Sequence, residues 1–205
     1  MKNKEEDISR KQQNETEKDE HNEVVCMCKP IEKIQGKTAT DILTLYGLYD
    51  DVPIDLKKLF KCIGISCLPY DFSDMENGNQ ILGALATQGD NAVIYYRTQD
   101  VENGHRYRFT IAHELAHCCL KHYPIGSKTV HYNYRSEENN DSMEERDANI
   151  FAGELLIPLR PLKRVIGQLL APSVHTLAEI FEVSDAVMLA RLKYLQIQDS
   201  IAGYN

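Results

Sequence analysis

Residues 109–122, FTIAHELAHCCLKH, concentrate side chains that bind metal ions or transfer protons. His113 and His117 are four residues apart, so on an α-helix they lie on one face about one turn apart. Neutral imidazoles at this spacing can each give one ring nitrogen to the same zinc ion. Glu114 lies to one side of such an ion, where its carboxylate can act as a general base. The H-E-x-x-H pattern therefore predicts metal-assisted hydrolysis, against the alternative of a histidine-rich helix without a metal.

The surroundings of this motif favour the metal site over a chance match. Two strand-like runs precede it, and its helix carries the apolar residues Ile111, Leu115 and Cys119, which places the histidines inside the fold. His122 lies nine residues beyond His113 and therefore half a turn off on a continuous helix. We interpret His122 as a structural residue or as a partner of a ligand.

A third ligand must come from another element, because a catalytic zinc ion usually has three protein ligands and an open position. The helical pattern of MEERDANIFAGELLIP places Glu145 and Asn149 on one face. Glu145 can supply the third ligand, and Asn149 can hydrogen-bond a ligand histidine and fix its ring. Helical phase alone leaves Glu144 and Asp147 open as alternatives, and a solvated acidic cluster would explain all three carboxylates without a metal.

The cysteines do not form a recognisable metal cluster. The chain has six, and no pair of C-x-x-C motifs is present, so a four-cysteine zinc site has little support. Cys118 and Cys119 also miss the metal face of their helix. We interpret the thiols as small hydrophobic groups in a reducing compartment, and Cys26 and Cys28 have no assigned role.

Length and composition describe an ordinary globular chain of 205 residues, with 42% hydrophobic and 26% charged residues. No window approaches eighteen consecutive apolar residues, and the N-terminus lacks the apolar core of a secretory signal, so we expect a cytoplasmic protein. The net charge is −8, which argues against a nucleic-acid-binding surface covering the molecule. Neither a membrane nor a nucleic acid is an expected partner.

The order of elements predicts an α+β fold. Residues 1–23 contain only Met1 and Ile8 as apolar residues and are expected to form a disordered acidic leader. Two helices, three strands, the motif helix and further helices follow, with a small mixed or antiparallel sheet. The strands are ISCLPY, ILGALAT and NAVIYYR, and residues 123–142 are expected to be a polar excursion over the surface. We place the main domain at 24–160 and a helical extension at 161–205.

The extension contains SVHTLAEIFEVSDAVMLARLKYL, which resembles a helix-turn-helix with Ser184 capping its second helix. A helix that reads DNA needs basic and amide side chains. Here Asp185 comes early in the second helix, whereas Arg191 and Lys193 come late. The pattern therefore favours packing or partner docking over DNA reading.

Two motifs in the right order, RFTIAHELAH at 108–117 and ERDANIFAGELLIP at 145–158, resemble the ImmA/IrrE-type zinc metallopeptidases. The resemblance covers about residues 38–195 and includes the upstream strands. It implies a zincin-like fold of gluzincin type, a zinc ion held by His113, His117 and Glu145, and Glu114 as the base for peptide-bond hydrolysis. Ala116 stands where the family usually has glycine, away from the ligands.

Members of that family cleave or antagonise helix-turn-helix repressors and thereby derepress genes of mobile elements or stress responses. The resemblance therefore implies an endopeptidase with a protein substrate. His131, Tyr132 and Tyr134 are candidates for stabilising the oxyanion. The alternative is a non-hydrolytic regulatory module that binds a transcription factor or DNA and keeps zinc only for structure. The presence of Glu114 argues against this alternative, because a structural zinc site needs no base.

Overall fold

The computed structural model describes residues 30–100, 104–123, 128–134, 142–197 and 201. The helices are α1 (Pro30–Ile34), α2 (Ala39–Leu45), α3 (Leu56–Ile63), α4 (Gly104–Leu120), α5 (Met143–Leu156), α6 (Leu159–Gln168), α7 (Val174–Phe181) and α8 (Asp185–Tyr194). The strands are β1 (Ser66–Tyr70), β2 (Ile81–Gln88), β3 (Asn91–Arg97) and β4 (Thr129–Tyr134). The predicted α+β class is confirmed, whereas the predicted leader, Cys26 and Cys28 lie outside the described residues. Within those residues, no helix combines the length and apolar character needed to cross a bilayer.

Local sequence signals fix the ends of several helices. Thr38 begins α2 with a capping box, in which its side chain accepts a hydrogen bond from the Asp41 N–H and the Asp41 carboxylate accepts one from the Thr38 N–H. Asp55 caps α3, and Gly64 ends that helix with a left-handed φ of 90°. Ser184 caps α8, as predicted. These helices therefore begin and end where the chain offers a capping side chain or a glycine.

The four strands form one mixed sheet in the order β1-β3-β2-β4. Strands β2 and β3 form an antiparallel hairpin, and β1 lies parallel to β3 at one edge. The turn of the hairpin contains Gly89, whose φ of 59° is in the left-handed region that favours glycine. All three predicted strands are present, and β4 occupies the other edge by antiparallel pairing with β2.

Strand β4 corrects the expectation that residues 123–142 form only a polar excursion. Thr129–Tyr134, with the sequence TVHYNY, alternates polar residues with β-branched and aromatic ones, a pattern typical of a half-buried strand. Val130, Tyr132 and Tyr134 pack into a cluster with Phe72, which lies between β1 and β2. The strand was not predicted because this short run lies between polar residues, so the segment as a whole has the composition of a loop.

Helix α4 packs on one face of the sheet, and α5 packs on α4. Gly83 of β2 lies beneath α4, where an added Cβ would be 2.6 Å from Thr110 Cγ2 and 3.6 Å from Glu114 Oε1. Only a residue without a side chain allows α4 to approach β2 this closely. A separate cluster that includes Phe72 and Tyr95 covers the opposite face. The sheet thus holds α4 at a distance that Gly83 sets.

The C-terminal helices pack into the same hydrophobic core as α4 and α5, through residues such as Leu162, Leu177 and Leu192. The buried Arg108 of α4 donates from Nε to the Glu182 carbonyl at 3.1 Å, and Arg191 of α8 donates from Nε to a carbonyl at the end of α5. Helices α7 and α8 also pack on each other. Their likeness to a helix-turn-helix rests on the sequence and stays a prediction.

We expect Gly83→Ala to lower the free energy of unfolding by about 1–3 kcal/mol, the usual cost of an extra methyl group in a packed site. Adding Thr110→Ser, which removes the methyl group that the new Cβ meets, should restore part of this loss. Gly167→Ala is the control, because nothing lies within 4 Å of a Cβ there and alanine favours a helix by up to about 1 kcal/mol. Denaturant unfolding measures all four proteins. Equal stability of Gly83→Ala and wild type would contradict the close approach.

Candidate metal centre

The candidate ligands come from the facing sides of α4 and α5. His113 and His117 project from α4 and are 3% and 2% exposed. Glu145 projects from the first turn of α5, where its N–H donates to Ser142 Oγ at 3.1 Å. The capping bond that begins α5 therefore also fixes the backbone of the candidate carboxylate ligand. One ligating atom from each of the three side chains lies within 4.8 Å of the other two.

Three short distances define the centre. His113 Nε2 lies 3.0 Å from His117 Nε2 and 3.1 Å from Glu145 Oε2, and His117 Nε2 lies 3.4 Å from Glu145 Oε1. Glu144 and Asp147 are exposed on α5 and join no such group in the described part of the chain. Among the three carboxylates that helical phase leaves open, the structure brings Glu145 to both histidines.

Hydrogen bonds on the far side of each ring turn the Nε2 atoms toward one another. His113 Nδ1 lies 3.0 Å from Asn149 Oδ1, and an amide oxygen only accepts, so a neutral His113 ring carries its proton on Nδ1 and its lone pair on Nε2. His117 Nδ1 lies 2.9 Å from His122 Nδ1, and a proton donated there leaves His117 Nε2 unprotonated as well. Ligands that share a tetrahedral zinc ion are about 3.4 Å apart. The donor set, its spacing and its tautomers therefore fit a divalent metal ion.

His122 reaches His117 because α4 ends at Leu120. The prediction that His122 lies half a turn off assumed a continuous helix and is wrong. Lys121 takes a left-handed φ of 62°, and the His122 N–H donates to the His117 carbonyl at 3.1 Å, so the chain turns back. The interpretation of His122 as a partner of a ligand agrees with this contact.

The ring of His117 is also held by aromatic stacking. The Tyr123 ring lies 4.9 Å from the His117 ring at an interplanar angle of 19°, and the His131 ring stacks on Tyr123 at 3.8 Å. His131 lies on the face of β4 that is turned to α4, whereas Tyr132 and Tyr134 pack into the cluster on the opposite face. The structure therefore separates these two tyrosines from the centre and leaves His131 near it as a candidate for oxyanion stabilisation.

Glu114 lies beside the three ligands without joining them. Its side chain is buried, and its Oε1 accepts a hydrogen bond from Asn133 Nδ2 of β4 at 3.2 Å. Burial raises the pKa of Glu114 to about 7, although nearby His113 and the Asn133 hydrogen bond oppose the rise. Asn133 was not predicted from the sequence, because its role depends on β4, and the alternation of TVHYNY is the signal that places it on the α4 face.

The charges of the ligands agree with metal binding. Burial and the neighbouring His113 lower the pKa of His117 to about 3, so this ring is neutral at physiological pH. The hydrogen bond with His113 lowers the pKa of Glu145, which is therefore ionised. For His113, burial opposes the charged form, but the bond to Glu145 and the charge of Glu114 together raise its pKa. A bound metal ion would take the place of the proton that this ring shares with Glu145.

The fold and the donor set define a metallopeptidase-like domain. The chain belongs to the Peptidase_M78 family, the IrrE N-terminal-like domain, whose sequence model matches residues 78–193. The match spans β2 to the last turn of α8 and includes every residue of the candidate centre, and it confirms the predicted family. Neither a curated protein nor a solved structure matches the chain significantly.

We expect Glu145→Ala to weaken zinc binding by more than the 10–100-fold that loss of an outer hydrogen-bond partner costs. Two histidines alone hold zinc poorly, since a protein zinc site needs three or four ligands. Glu144→Ala, the adjacent exposed carboxylate, is the matched control and should keep wild-type affinity. Competition with a chelator of known affinity measures each dissociation constant. Loss of zinc from Glu144→Ala with retention by Glu145→Ala would reverse the assignment.

A second pair of variants tests the contact between His122 and His117. His122→Phe keeps an aromatic ring but removes the acceptor, so zinc affinity should fall about 10–100-fold. His122→Asn places an amide oxygen close to the position of Nδ1 and should stay within a few-fold of wild type. The same chelator competition compares the two variants. If His122→Asn binds zinc as poorly as His122→Phe, the hydrogen bond does not orient His117.

Proposed function

We propose that the protein is a zinc-dependent endopeptidase that cleaves a helix-turn-helix transcriptional repressor and thereby derepresses genes. Membership of a peptidase family supports hydrolysis in general. The observation that carries the proposal is the position of Glu114, which is buried, hydrogen-bonded to Asn133 and close to the three candidate ligands. A carboxylate in this position can serve as a base without leaving the metal short of a ligand.

His113, His117 and Glu145 would hold the zinc ion, which when bound supplies Lewis-acid polarisation of the scissile carbonyl and of water. Glu114 accepts a proton from the attacking water and returns it to the nitrogen of the leaving amine. A pKa near 7 suits a group that takes up and releases a proton at neutral pH. The hydrogen bond from Asn133 to Oε1 holds the plane of the carboxylate during both transfers.

The repressor substrate rests on the family resemblance, whose members act on helix-turn-helix repressors. We place the reaction in the cytoplasm, where such repressors work.

The alternative function is a regulatory module that binds a transcription factor or DNA and keeps zinc for structure. A structural zinc site has four protein ligands and no base. Here three candidate ligands converge and a buried carboxylate lies beside them, which favours hydrolysis. The net charge of −8 also disfavours direct binding to DNA.

Glu114→Gln tests the proposed base, because it keeps the size and hydrogen bonding of the side chain but removes its basicity. Cleavage should fall at least about 100-fold, the lower end of what general acid–base catalysis contributes. Zinc content should be unchanged, since Glu114 is not a ligand. The measurement is a timed digestion of the repressor encoded beside the gene, with Glu144→Gln as the matched control.

Equal cleavage by Glu114→Gln and wild type would show that Glu114 is not the base. If neither wild type nor Glu114→Gln cleaves the repressor while both relieve repression in cells, the result supports the regulatory module. A chelator added to wild type should abolish cleavage, and readdition of zinc should restore it.

A further inference from the structure

An apolar cavity of about 390 Å³ lies between α4, α5 and α8, next to the candidate metal centre. Its wall includes Phe109 of α4, Asn149 and Gly153 of α5, and Ala186, Val187 and Ala190 of α8. Half of these residues come from α8, the second helix of the segment that resembles a helix-turn-helix by sequence. The cavity volume is at the lower end for a small-ligand site, which is enough for one bulky side chain.

Two wall residues also contact a candidate zinc ligand. The ring of Phe109 lies 6.3 Å from the ring of His113, and Asn149 Oδ1 lies 3.0 Å from His113 Nδ1. Phe109 and Asn149 therefore connect the wall of the cavity to His113. A group that enters it lies one helical turn from the ligand along α4.

A second cavity, of about 770 Å³, continues the first and shares Phe109 and Val187 with it. Its wall also includes Thr110. Thr110 is one turn before Glu114 on α4, and Thr110 Cγ2 and Glu114 Oε1 both lie within 4 Å of the position that a Gly83 Cβ would occupy. Thr110 therefore lies between this cavity and the proposed base. The two cavities together form a continuous groove along α4, on the side of the helix that carries Phe109 and Thr110.

The wall chemistry selects an apolar occupant. Arg191 is the charged residue of the wall, but its Nε already donates to the Ile157 carbonyl, and its guanidinium lies over the ring of Tyr194 at 5.6 Å. Most of the wall is apolar, so a polar side chain in the cavity would lose water and gain few hydrogen-bond partners.

Small residues keep the cavity open. A Cβ on Gly153 would meet Arg191 Cδ at 3.7 Å, an ordinary contact, so packing does not require glycine at this position. Glycine nevertheless weakens a helix relative to alanine. Ala186 and Ala190 lie one turn apart on α8 and face the same space. The chain therefore leaves a volume unfilled where larger residues would fit.

We propose that this cavity, walled by α8, binds an aliphatic or aromatic side chain of the peptide substrate beside the scissile bond. The proposal rests on the proposed endopeptidase function and adds the substrate class: peptides with a bulky apolar residue at this position. Helix α8 is then a wall of the substrate cleft. A second copy of the chain, or a free apolar molecule, is the competing occupant.

The first test uses three hydroxamates that share one zinc-binding head group and carry a methyl, isobutyl or benzyl side chain next to it. Calorimetry with the zinc-loaded protein measures each dissociation constant without any turnover. The isobutyl or benzyl compound should bind at least about 10-fold tighter than the methyl compound, the usual gain when a pocket is filled. Equal affinity of all three would overturn the proposal.

Ala190→Phe fills the cavity from the exposed side of α8, away from the ligands and the base. It should abolish the gain in affinity, so that the three compounds bind with similar dissociation constants. Ala171→Phe is the matched control, because it adds the same side chain at an exposed position that lines neither cavity. Zinc content and melting temperature confirm that both variants fold. If Ala190→Phe still binds the isobutyl or benzyl compound more tightly than the methyl compound, the proposal is overturned. A sedimentation velocity that differs from that of wild type would also overturn it, because this wall of α8 would then be a contact between copies of the chain.

Cleavage profiling of a proteome-derived peptide library separates this proposal from the function on which it rests. Wild type and Ala171→Phe should cleave beside bulky apolar residues, and Ala190→Phe should lose that preference. If the isobutyl or benzyl hydroxamate binds more tightly than the methyl compound but no peptide is cleaved, the result supports binding in the cavity and contradicts the endopeptidase function. Cleavage of the library without an apolar preference would support the endopeptidase and overturn the proposal for the cavity.

Discussion

Two imidazole rings and a carboxylate are held against one another inside the protein, and the rest of the structure depends on this contact. A buried carboxylate is unfavourable unless a positive charge is paired with it, and here a proton on His113 pairs with Glu145. Asn149 and His122 maintain the contact by binding the far sides of the rings, while Ser142 anchors the helix that carries Glu145. A metal ion bound there would take the place of that proton, and its binding would then be coupled to the stability of the fold.

Helix α4 connects this contact to the rest of the molecule because different sides of it have different partners. Phe109, His113 and His117 face α5 and the cleft. Thr110 and Glu114 face β2, where Gly83 permits the close approach and β4 supplies Asn133 to the carboxylate. The remaining residues enter the core. A single helix thus sets the distance between ligands and base, and the sheet and α5 fix its orientation from two sides.

The sequence predicts the parts of this site that depend on one helix and misses those that depend on how two elements meet. The spacing of His113, Glu114 and His117 is a local property, so it could be derived. The choice of Glu145 over Glu144 depends on the packing of α5 on α4, and helical phase left it open. His122 was misplaced because the turn at Lys121 uses a left-handed φ without the glycine or asparagine that usually marks it.

The sequence pattern of the C-terminal helices is compatible with two interpretations, a DNA-binding helix-turn-helix and a wall of the apolar cavity. The exposed side chains of α8 help to distinguish them. The segment resembles a helix-turn-helix, yet the exposed residues that lead into α8 include Glu182 and Asp185, which would repel phosphate groups. Beyond them the exposed or partly exposed Ala186, Val187 and Ala190 border an apolar cavity next to His113. These side chains offer no hydrogen bonds to base edges, whereas they suit contact with an apolar group. The side chains of α8 therefore agree with the proposed binding of an apolar side chain, and they disfavour contact with a nucleic acid.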